Sequence, residues 1–206
     1  MNPGCRGTPE GCDTRAATPG ATVGCMEQVP FERGESAIAV PVPAAEPLVS
    51  PWRARFDSSA AYGVPAHVTV VSPFLPDALL SASVLEALRA ECAKTAPFEV
   101  TFSRVGRFTG VLYLAPEPTR GFRDLTARLV ERWPEAPPYG GKHEDVVPHL
   151  TVADAATDAA LEAAERDLRP KLPLKTTVDA ADLSVFDGRR WHVRERLPFL
   201  GASDEA

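Results

Sequence analysis

The sequence lacks the features that mark membrane proteins, secreted proteins and several common enzyme classes. No apolar run approaches the ~18–20 residues that are needed to cross a bilayer, and the N-terminus has no basic segment followed by an apolar one, as a secretory signal would. The sequence contains no GxSxG of a serine hydrolase, no HExxH of a zinc protease and no GxxxxGKS/T phosphate-binding loop. We therefore expect a cytoplasmic protein that does not enter a membrane and that uses other catalytic groups.

Cysteine is scarce as well. Four cysteines occur in 206 residues, and three of them, Cys5, Cys12 and Cys25, fall near the N-terminus. Their spacing lacks the close CxxC pairs of zinc sites, and no histidine cluster follows them. Cys92 stands in a helical pattern and is expected to be a small core residue. The cysteines are therefore interpreted as incidental thiols rather than as metal ligands.

Residues 1–34 differ in composition from the rest of the chain. They are rich in proline, glycine and threonine, contain few large apolar side chains and show neither a strand period nor a helix period. Such a segment cannot bury enough apolar surface to offset the entropy that ordering removes. We predict that residues 1–34 are a disordered tail or the result of a translation start placed too early. A folded domain of two lobes is expected over residues 35–200 and a short C-terminal tail over residues 201–206.

The balance of charge is acidic. Lys and Arg number 22 against 28 Asp and Glu, which gives a net charge of −6 and a pI near 5.3. This balance argues against bulk electrostatic binding to nucleic acid. A small phosphorylated substrate or an RNA end remains compatible with the sequence if basic residues cluster locally.

Two short segments of the chain resemble each other. One contains His67 and Thr69 in the run VPAHVTVV, and the other contains His149 and Thr151 in the run VVPHLTVA. Side chains two positions apart in a strand lie on one face, ~7 Å from each other. Each His therefore shares a face with its Thr, while the neighbouring aliphatic residues point the other way. The pair predicts one site built from two halves, each of which can hold a phosphate oxygen and move a proton.

The remaining pattern predicts an α+β fold. A helical pattern follows each histidine strand, and strands and helices mix without the regular alternation of parallel sheets. We also expect a turn over residues 104–109 between two strands, a helix capped by Asp77 and another capped by Thr119. A duplicated architecture of this kind would place the two histidine strands close together across a cleft.

The two His-x-Thr segments, and the stretch of residues 64–76 around the first, resemble the two-histidine phosphoesterase superfamily and within it the bacterial 2'-5' RNA ligase family. The resemblance covers roughly residues 36–200. It implies a bilobal, duplicated α+β fold in which antiparallel sheets flank a central cleft, helices lie outside, and one His-x-Thr strand from each lobe lines the cleft. At Ser72 the chain departs from the family pattern, in which an aromatic residue that stacks on a base often stands there.

The resemblance also implies an activity. Members hydrolyse 2',3'-cyclic phosphates or related phosphodiester ends of RNA and nucleotides, some join RNA ends reversibly through 2'-5' bonds, and none of this needs a metal or organic cofactor. His67, Thr69, His149 and Thr151 are then the catalytic residues, with His149 as base and His67 as acid. The expected partners are RNA ends or small cyclic-phosphate nucleotides and metabolites, and we expect a monomer.

The chemistry of these residues agrees with the implied activity. Two histidines with a pKa near ~6.5 can supply a base and an acid at neutral pH. Threonine hydroxyls at fixed positions can donate to the charged oxygens of a pentacoordinate phosphorus. The rate should therefore depend on pH as a bell-shaped curve.

Further residues stand in strands or loops predicted to border the cleft. An aromatic side chain there could stack on a base, and a basic one could hold a phosphate; the alternatives are an ordinary core position and an ordinary solvated charge. These candidates are Phe74, Arg104, Arg107, Tyr113, Lys142 and His143.

Two other functions remain open. The chain could be an RNA- or nucleotide-binding module that keeps the cleft without turnover. It could also be a metal-dependent hydrolase with His67 and His149 as ligands, although no HExxH, His-x-His or paired aspartates support a metal site.

Overall fold

The computed structural model describes residues 30–142 and 146–201. Most of the predicted tail over residues 1–34, the predicted C-terminal tail beyond Gly201, and the candidate contact His143 therefore lie outside the described residues. From Phe31 onward the described residues belong to one compact unit.

Two four-stranded antiparallel sheets form the centre of this unit. The strands are β1 (Ser36–Pro41), β2 (His67–Val71), β3 (Phe98–Phe108), β4 (Val111–Glu117), β5 (Leu150–Ala153), β6 (Leu174–Val178), β7 (Ala180–Phe186) and β8 (Trp191–Pro198). The first sheet has the order β2-β1-β7-β8, and the second has the order β5-β4-β3-β6. The predicted α+β class with two antiparallel sheets is confirmed.

Helices cover the sheets and connect the two halves. They are α1 (Glu46–Phe56), α2 (Ser58–Ala61), α3 (Ala82–Ala93), α4 (Arg120–Arg132) and α5 (Asp158–Leu168). Each histidine strand contacts a helix that lies next to the other histidine strand in the sequence. Helix α1, which precedes β2, contacts β5, and helix α4, which precedes β5, contacts β2. Within the described ranges no helix is long and apolar enough to span a membrane.

The two histidine strands occupy equivalent places. β2 and β5 each form one edge of a sheet, and they contact each other. In β2, Val68 and Val70 are fully buried while Thr69 is half-buried, and in β5 Leu150 and Val152 are fully buried. The strand alternation predicted from the sequence therefore holds in both copies.

Strand β3 corrects the predicted turn over residues 104–109. It continues to Phe108, and it pairs with β4 in the register Val105 to Leu114 and Gly106 to Tyr113. The reversal is confined to Thr109 and Gly110, where Gly110 adopts a φ of +75°. The strand continues because its second half finds a full antiparallel partner, which local turn signals do not reveal.

Two predicted helix caps also differ. Asp77 lies in a short 3-10 turn and pairs with Arg194, and α3 begins later with the Ser81 hydroxyl accepting the amide N–H of Val84. Thr119 has helical backbone angles and makes no capping hydrogen bond. A side chain that can cap a helix is used elsewhere when tertiary contacts set the helix start.

The described part of the predicted tail is packed. The ring centroid of Phe31 lies 5.6 Å from that of Tyr62 and 5.3 Å from that of Trp191, and the Gly34 N–H donates to the Phe186 carbonyl at 2.8 Å. The folded region thus begins by Phe31 rather than at residue 35. The disorder predicted for residues 1–29 remains a prediction.

Candidate active site

Both His-x-Thr units of this chain hold their imidazoles in the same way. Nδ1 of His67 lies 2.7 Å from the carbonyl oxygen of Pro65, and Nδ1 of His149 lies 2.7 Å from that of Val147. A carbonyl can only accept, so Nδ1 carries the proton in both rings. The other ring nitrogen, Nε2, is then an acceptor in the neutral ring and a donor in the protonated one, as acid–base chemistry requires.

Burial lowers the pKa of both imidazoles. For His67, the positive charges of Arg53 and His149 lower the pKa further, while the bond to Pro65 and the Asp57 carboxylate oppose this. The effect of one imidazole on the other is consistent with two histidines that lie close together.

His149 sits in a different electrostatic setting. Desolvation lowers its pKa, and the bond to Val147 and the nearby Asp154 carboxylate oppose that effect. The Arg53–Asp57 ion pair therefore accompanies His67, whereas the carboxylate of Asp154 accompanies His149.

A buried ion pair stands behind His67. Arg53 is 2% exposed, and its Nε donates to Asp57 at 2.8 Å while Nη2 donates to the Val64 carbonyl at 3.1 Å. Glu46 accepts the Ala66 N–H at 2.5 Å. These bonds fix the backbone that leads into β2, including the carbonyl that orients the imidazole.

The two threonines lie beside their histidines, half-buried, on the strand face opposite the core. Burial raises the pKa of the Tyr139 phenol, and the nearby Thr69 hydroxyl lowers it in part. Thr151 stands opposite Tyr113 in the β4–β5 pairing. The structure thus brings together the strands that carry His67, Thr69, His149 and Thr151, as the sequence predicted, and the catalytic roles of these residues remain proposals.

Aromatic rings surround His149. Tyr113 stacks on Phe108 with centroids 4.4 Å apart, and both rings meet His149, at 5.5 and 5.2 Å. The stack needs Gly106, because a Cβ there would overlap the Tyr113 ring. The sequence places Tyr113 at the border of the site but puts Phe108 in a turn. Phe108 could have been found from its spacing of two from Gly106, because residues two apart in a strand lie on the same face.

A cavity opens on either side of the histidine pair. The one at His149 has a volume of about 470 Å³ and is lined by Phe108, Tyr139 and the backbone neighbours of His149, Val146 and Val147, among others. The one at His67 has a volume of about 90 Å³ and includes Thr69, Ser72 and Trp191. Ser72 therefore lies in the site, although it carries no aromatic ring.

Phe74, a candidate for base stacking, lies in the core. It is 5% exposed, and its ring meets Trp133 edge-on at 5.3 Å. Its N–H donates to the Ser36 carbonyl at 2.7 Å, so the segment after β2 continues alongside β1.

Arg107, a candidate for phosphate binding, points away from the cleft. Its guanidinium pairs with Glu165 of α5 at 2.5 and 2.9 Å. Strand alternation explains the outcome, because Gly106 and Phe108 face the aromatic cluster and the residue between them faces the helix layer. Arg104 pairs with Glu117 at the surface, and Lys142 is exposed.

No group of three or more His, Cys, Asp or Glu side chains that could hold a metal ion occurs among residues 30–142 and 146–201.

Comparison with known proteins identifies the family. A model of the 2'-5' RNA ligase superfamily matches residues 40–190, well over half of the chain. The chain belongs to this superfamily. A Bacillus pumilus (strain SAFR-032) protein named "Putative phosphoesterase" is 30% identical over 115 residues, which cover 54% of this chain and 64% of that protein. The match thus spans less than two thirds of the curated relative.

Solved structures show the same fold. Escherichia coli LigT complexed with 3'-AMP aligns with a TM-score of 0.54 and 21% identity, over 82% of this chain and 99% of LigT. TT0787 of Thermus thermophilus aligns with a TM-score of 0.56 and 17% identity, over 82% of this chain and all of that one. The chain therefore shares its fold with these two proteins.

Proposed function

We propose that this protein is a phosphodiesterase that opens 2',3'-cyclic phosphate or related phosphodiester ends of RNA or nucleotides by histidine acid–base catalysis. The observation that carries the proposal is the pair of imidazoles from two contacting edge strands, each with Nδ1 bonded to a carbonyl so that Nε2 is available. Membership of the superfamily supports the reaction class. Structures of LigT with 3'-AMP and with NADP+ support nucleotides or RNA ends as ligands.

The steps balance as a simple hydrolysis. One imidazole takes a proton from water at Nε2, and the water oxygen attacks phosphorus. The bond from phosphorus to O3' breaks, and the other imidazolium gives its Nε2 proton to that oxygen, which leaves a 2'-phosphate. Thr69 and Thr151 donate to the non-bridging oxygens, whose negative charge grows in the transition state.

The electrostatic settings favour one assignment of roles. Among the charges beside His67, Arg53 lowers its pKa more than Asp57 raises it, whereas Asp154 raises the pKa of His149 against the effect of burial. We therefore propose His67 as base and His149 as acid in hydrolysis, which reverses the assignment that the family resemblance implied. Ligation runs the steps backwards and exchanges the roles.

A substrate with a good leaving group tests this assignment. A p-nitrophenyl phosphodiester releases an anion that needs no protonation, so His149→Ala should lose much less rate on it than on a 2',3'-cyclic nucleotide. His67→Ala should lose a similar factor on both substrates, because the water must still be deprotonated. The opposite pattern would restore His149 as base.

The proposed function itself is tested by incubating the protein with 2',3'-cyclic nucleotides and with RNA ending in a cyclic phosphate. We expect release of the 2'-phosphate, at a rate that EDTA leaves unchanged. Binding of these compounds without turnover would identify a nucleotide-binding module instead. Loss of activity with EDTA would favour a metal-dependent hydrolase.

A further inference from the structure

One peptide group links the imidazole of His67 to a carboxylate of helix α1. The carbonyl oxygen of Pro65 lies 2.7 Å from Nδ1 of His67, and the N–H on the other side of that peptide, from Ala66, donates to Oε1 of Glu46 at 2.5 Å. The peptide is trans and planar, so its C=O and N–H point in opposite directions. Holding the N–H at Glu46 therefore aims the carbonyl at the imidazole.

The residue directly before each histidine differs between the two halves of the site. Pro148 precedes His149, and a proline ring fixes φ near ~−65°. Ala66 takes the same place before His67, and both residues are buried. Alanine has no ring, so its peptide is free to rotate unless its N–H is bound. Glu46 thus supplies in the first half the constraint that proline supplies in the second.

The Arg53 guanidinium holds both Glu46 and the start of this segment. Its Nη1 lies 4.0 Å from the same Glu46 oxygen, its Nη2 donates to the Val64 carbonyl at 3.1 Å, and its Nε donates to Asp57 at 2.8 Å. The Glu46 side chain itself is 36% exposed. Its replacement therefore leaves the apolar core intact.

The direction of the Pro65 carbonyl matters for a base at His67. A neutral imidazole can carry its proton on either nitrogen, and only a ring with the proton on Nδ1 can accept another at Nε2. A peptide whose N–H donates a hydrogen bond also has a stronger acceptor in its carbonyl. If the carbonyl turned away, part of the rings would carry the proton on Nε2 and could not deprotonate water.

We propose that Glu46 is a positioning residue of this site, which holds the Pro65–Ala66 peptide so that its carbonyl keeps the His67 proton on Nδ1. The proposal rests on the proposed function and deepens it by a residue that lies outside both histidine strands. Glu46 acts through one peptide, so its loss should change the imidazole of His67 and leave that of His149 as it is.

NMR of the imidazole nitrogens tests the proposal without any substrate. At about pH 8, where imidazoles with a pKa at or below ~6.5 are neutral, both histidines of the wild type should show one tautomer, with the proton on Nδ1. Glu46→Ala should give a mixture of tautomers at His67 alone. Glu46→Gln should keep the single tautomer, because its amide oxygen can still accept the Ala66 N–H.

Hydrolysis of a 2',3'-cyclic nucleotide gives the second readout. Glu46→Ala should lower kcat about tenfold, as removal of a partner that orients a functional histidine does, and should leave KM nearly unchanged. Glu46→Gln should keep most of the wild-type rate. Asp167→Ala is the matched control, since it removes a carboxylate of equal charge that also binds a residue of α1, accepting from Nε1 of Trp52 at 2.9 Å. It should change neither the tautomers nor kcat.

A single tautomer at His67 in Glu46→Ala would overturn the proposal, and so would a mixture of tautomers that leaves kcat at the wild-type value. Equal losses in Glu46→Gln or in Asp167→Ala would also overturn it, because they would trace the effect to lost charge or lost stability. If wild type hydrolyses no cyclic phosphate, the proposed function fails, and the NMR spectra alone decide on Glu46.

Discussion

Each of the two histidines is oriented by a carbonyl oxygen two positions before it. The proline near each histidine keeps the chain extended there, so that Nδ1 of each ring lies beside the carbonyl of the residue two positions earlier, Pro65 or Val147. Identical tautomers result from similar local sequences. The charges around the two rings differ, however, and those around His67 include Arg53 and Asp57, which lie outside its strand.

Asp154→Asn should lower the pKa of His149 further. The Asp154 carboxylate favours the charged imidazole, so its removal leaves burial less opposed. Titration of the imidazole signals by NMR should show His149 losing its proton at lower pH than in wild type, with His67 little changed. Asp158→Asn removes an exposed carboxylate from the start of α5 and should leave the His149 titration unchanged; an equal shift in both variants would refute a specific role for Asp154.

How far the sequence predicts the site is clearest from single residues. Two His-x-Thr pairs and Tyr113 could be found because strand alternation alone fixes which side chains share a face. Of the two alternatives for Phe74, the structure shows the core position, where the Phe74 N–H is bonded to Ser36 of the neighbouring strand β1. Tyr139 could not be found, because its position depends on a left-handed turn that closes only in the folded protein.

At the scale of elements, the edge strands and the β3–β4 hairpin shape the site. β2 and β5 each have a hydrogen-bonded neighbour on one side only, which leaves their other side for each other and for a substrate. The hairpin carries Phe108 and Tyr113 to His149. Sequence alternation predicted the strands, but the length of β3 follows from pairing with β4.

Gly106→Ala should damage the aromatic cluster. The new Cβ would overlap the Tyr113 ring and displace it from Phe108 and His149, at roughly 1–3 kcal/mol of stability. Substrate KM should rise together with the loss of stability, measured by steady-state kinetics and chemical denaturation.

Gly121→Ala is the matched steric control. Its Cβ would also meet an aromatic ring, that of Phe98 at 2.6 Å, but in α4 rather than beside His149. It should reduce stability and leave KM unchanged. A Gly106→Ala protein with normal KM would show that the stack does not contact the substrate.

At the scale of the whole molecule, the two sheets are joined by exchanged helices. α1 packs on β5 and α4 packs on β2, and cross-links such as the Asp154 N–H to the Phe56 carbonyl at 2.6 Å reinforce the exchange. The lobes predicted from the duplicated motif therefore cannot separate without uncovering buried strands. The sequence repeat indicated two halves, but it could not indicate which helix covers which sheet.

The described unit should unfold in one cooperative transition. Val49→Ala in α1 removes buried methyl groups from the helix that joins the halves and should lower stability by roughly 2 kcal/mol. Circular dichroism and tryptophan fluorescence should agree on one midpoint for wild type and on one lower midpoint for the variant. Two separate transitions, of which the variant moves only one, would show that the lobes fold independently.

The central claim is that His67 and His149 act on one phosphate. Its most direct test is hydrolysis of a 2',3'-cyclic nucleotide by wild type, His67→Ala, His149→Ala and the double variant, with His192→Ala, an exposed histidine of β8, as control. Each site variant should lose at least about 100-fold in kcat, the double variant should lose little more than the slower single one, and the control should match wild type. A single variant that keeps the wild-type rate, or two losses that multiply fully, would contradict a shared site.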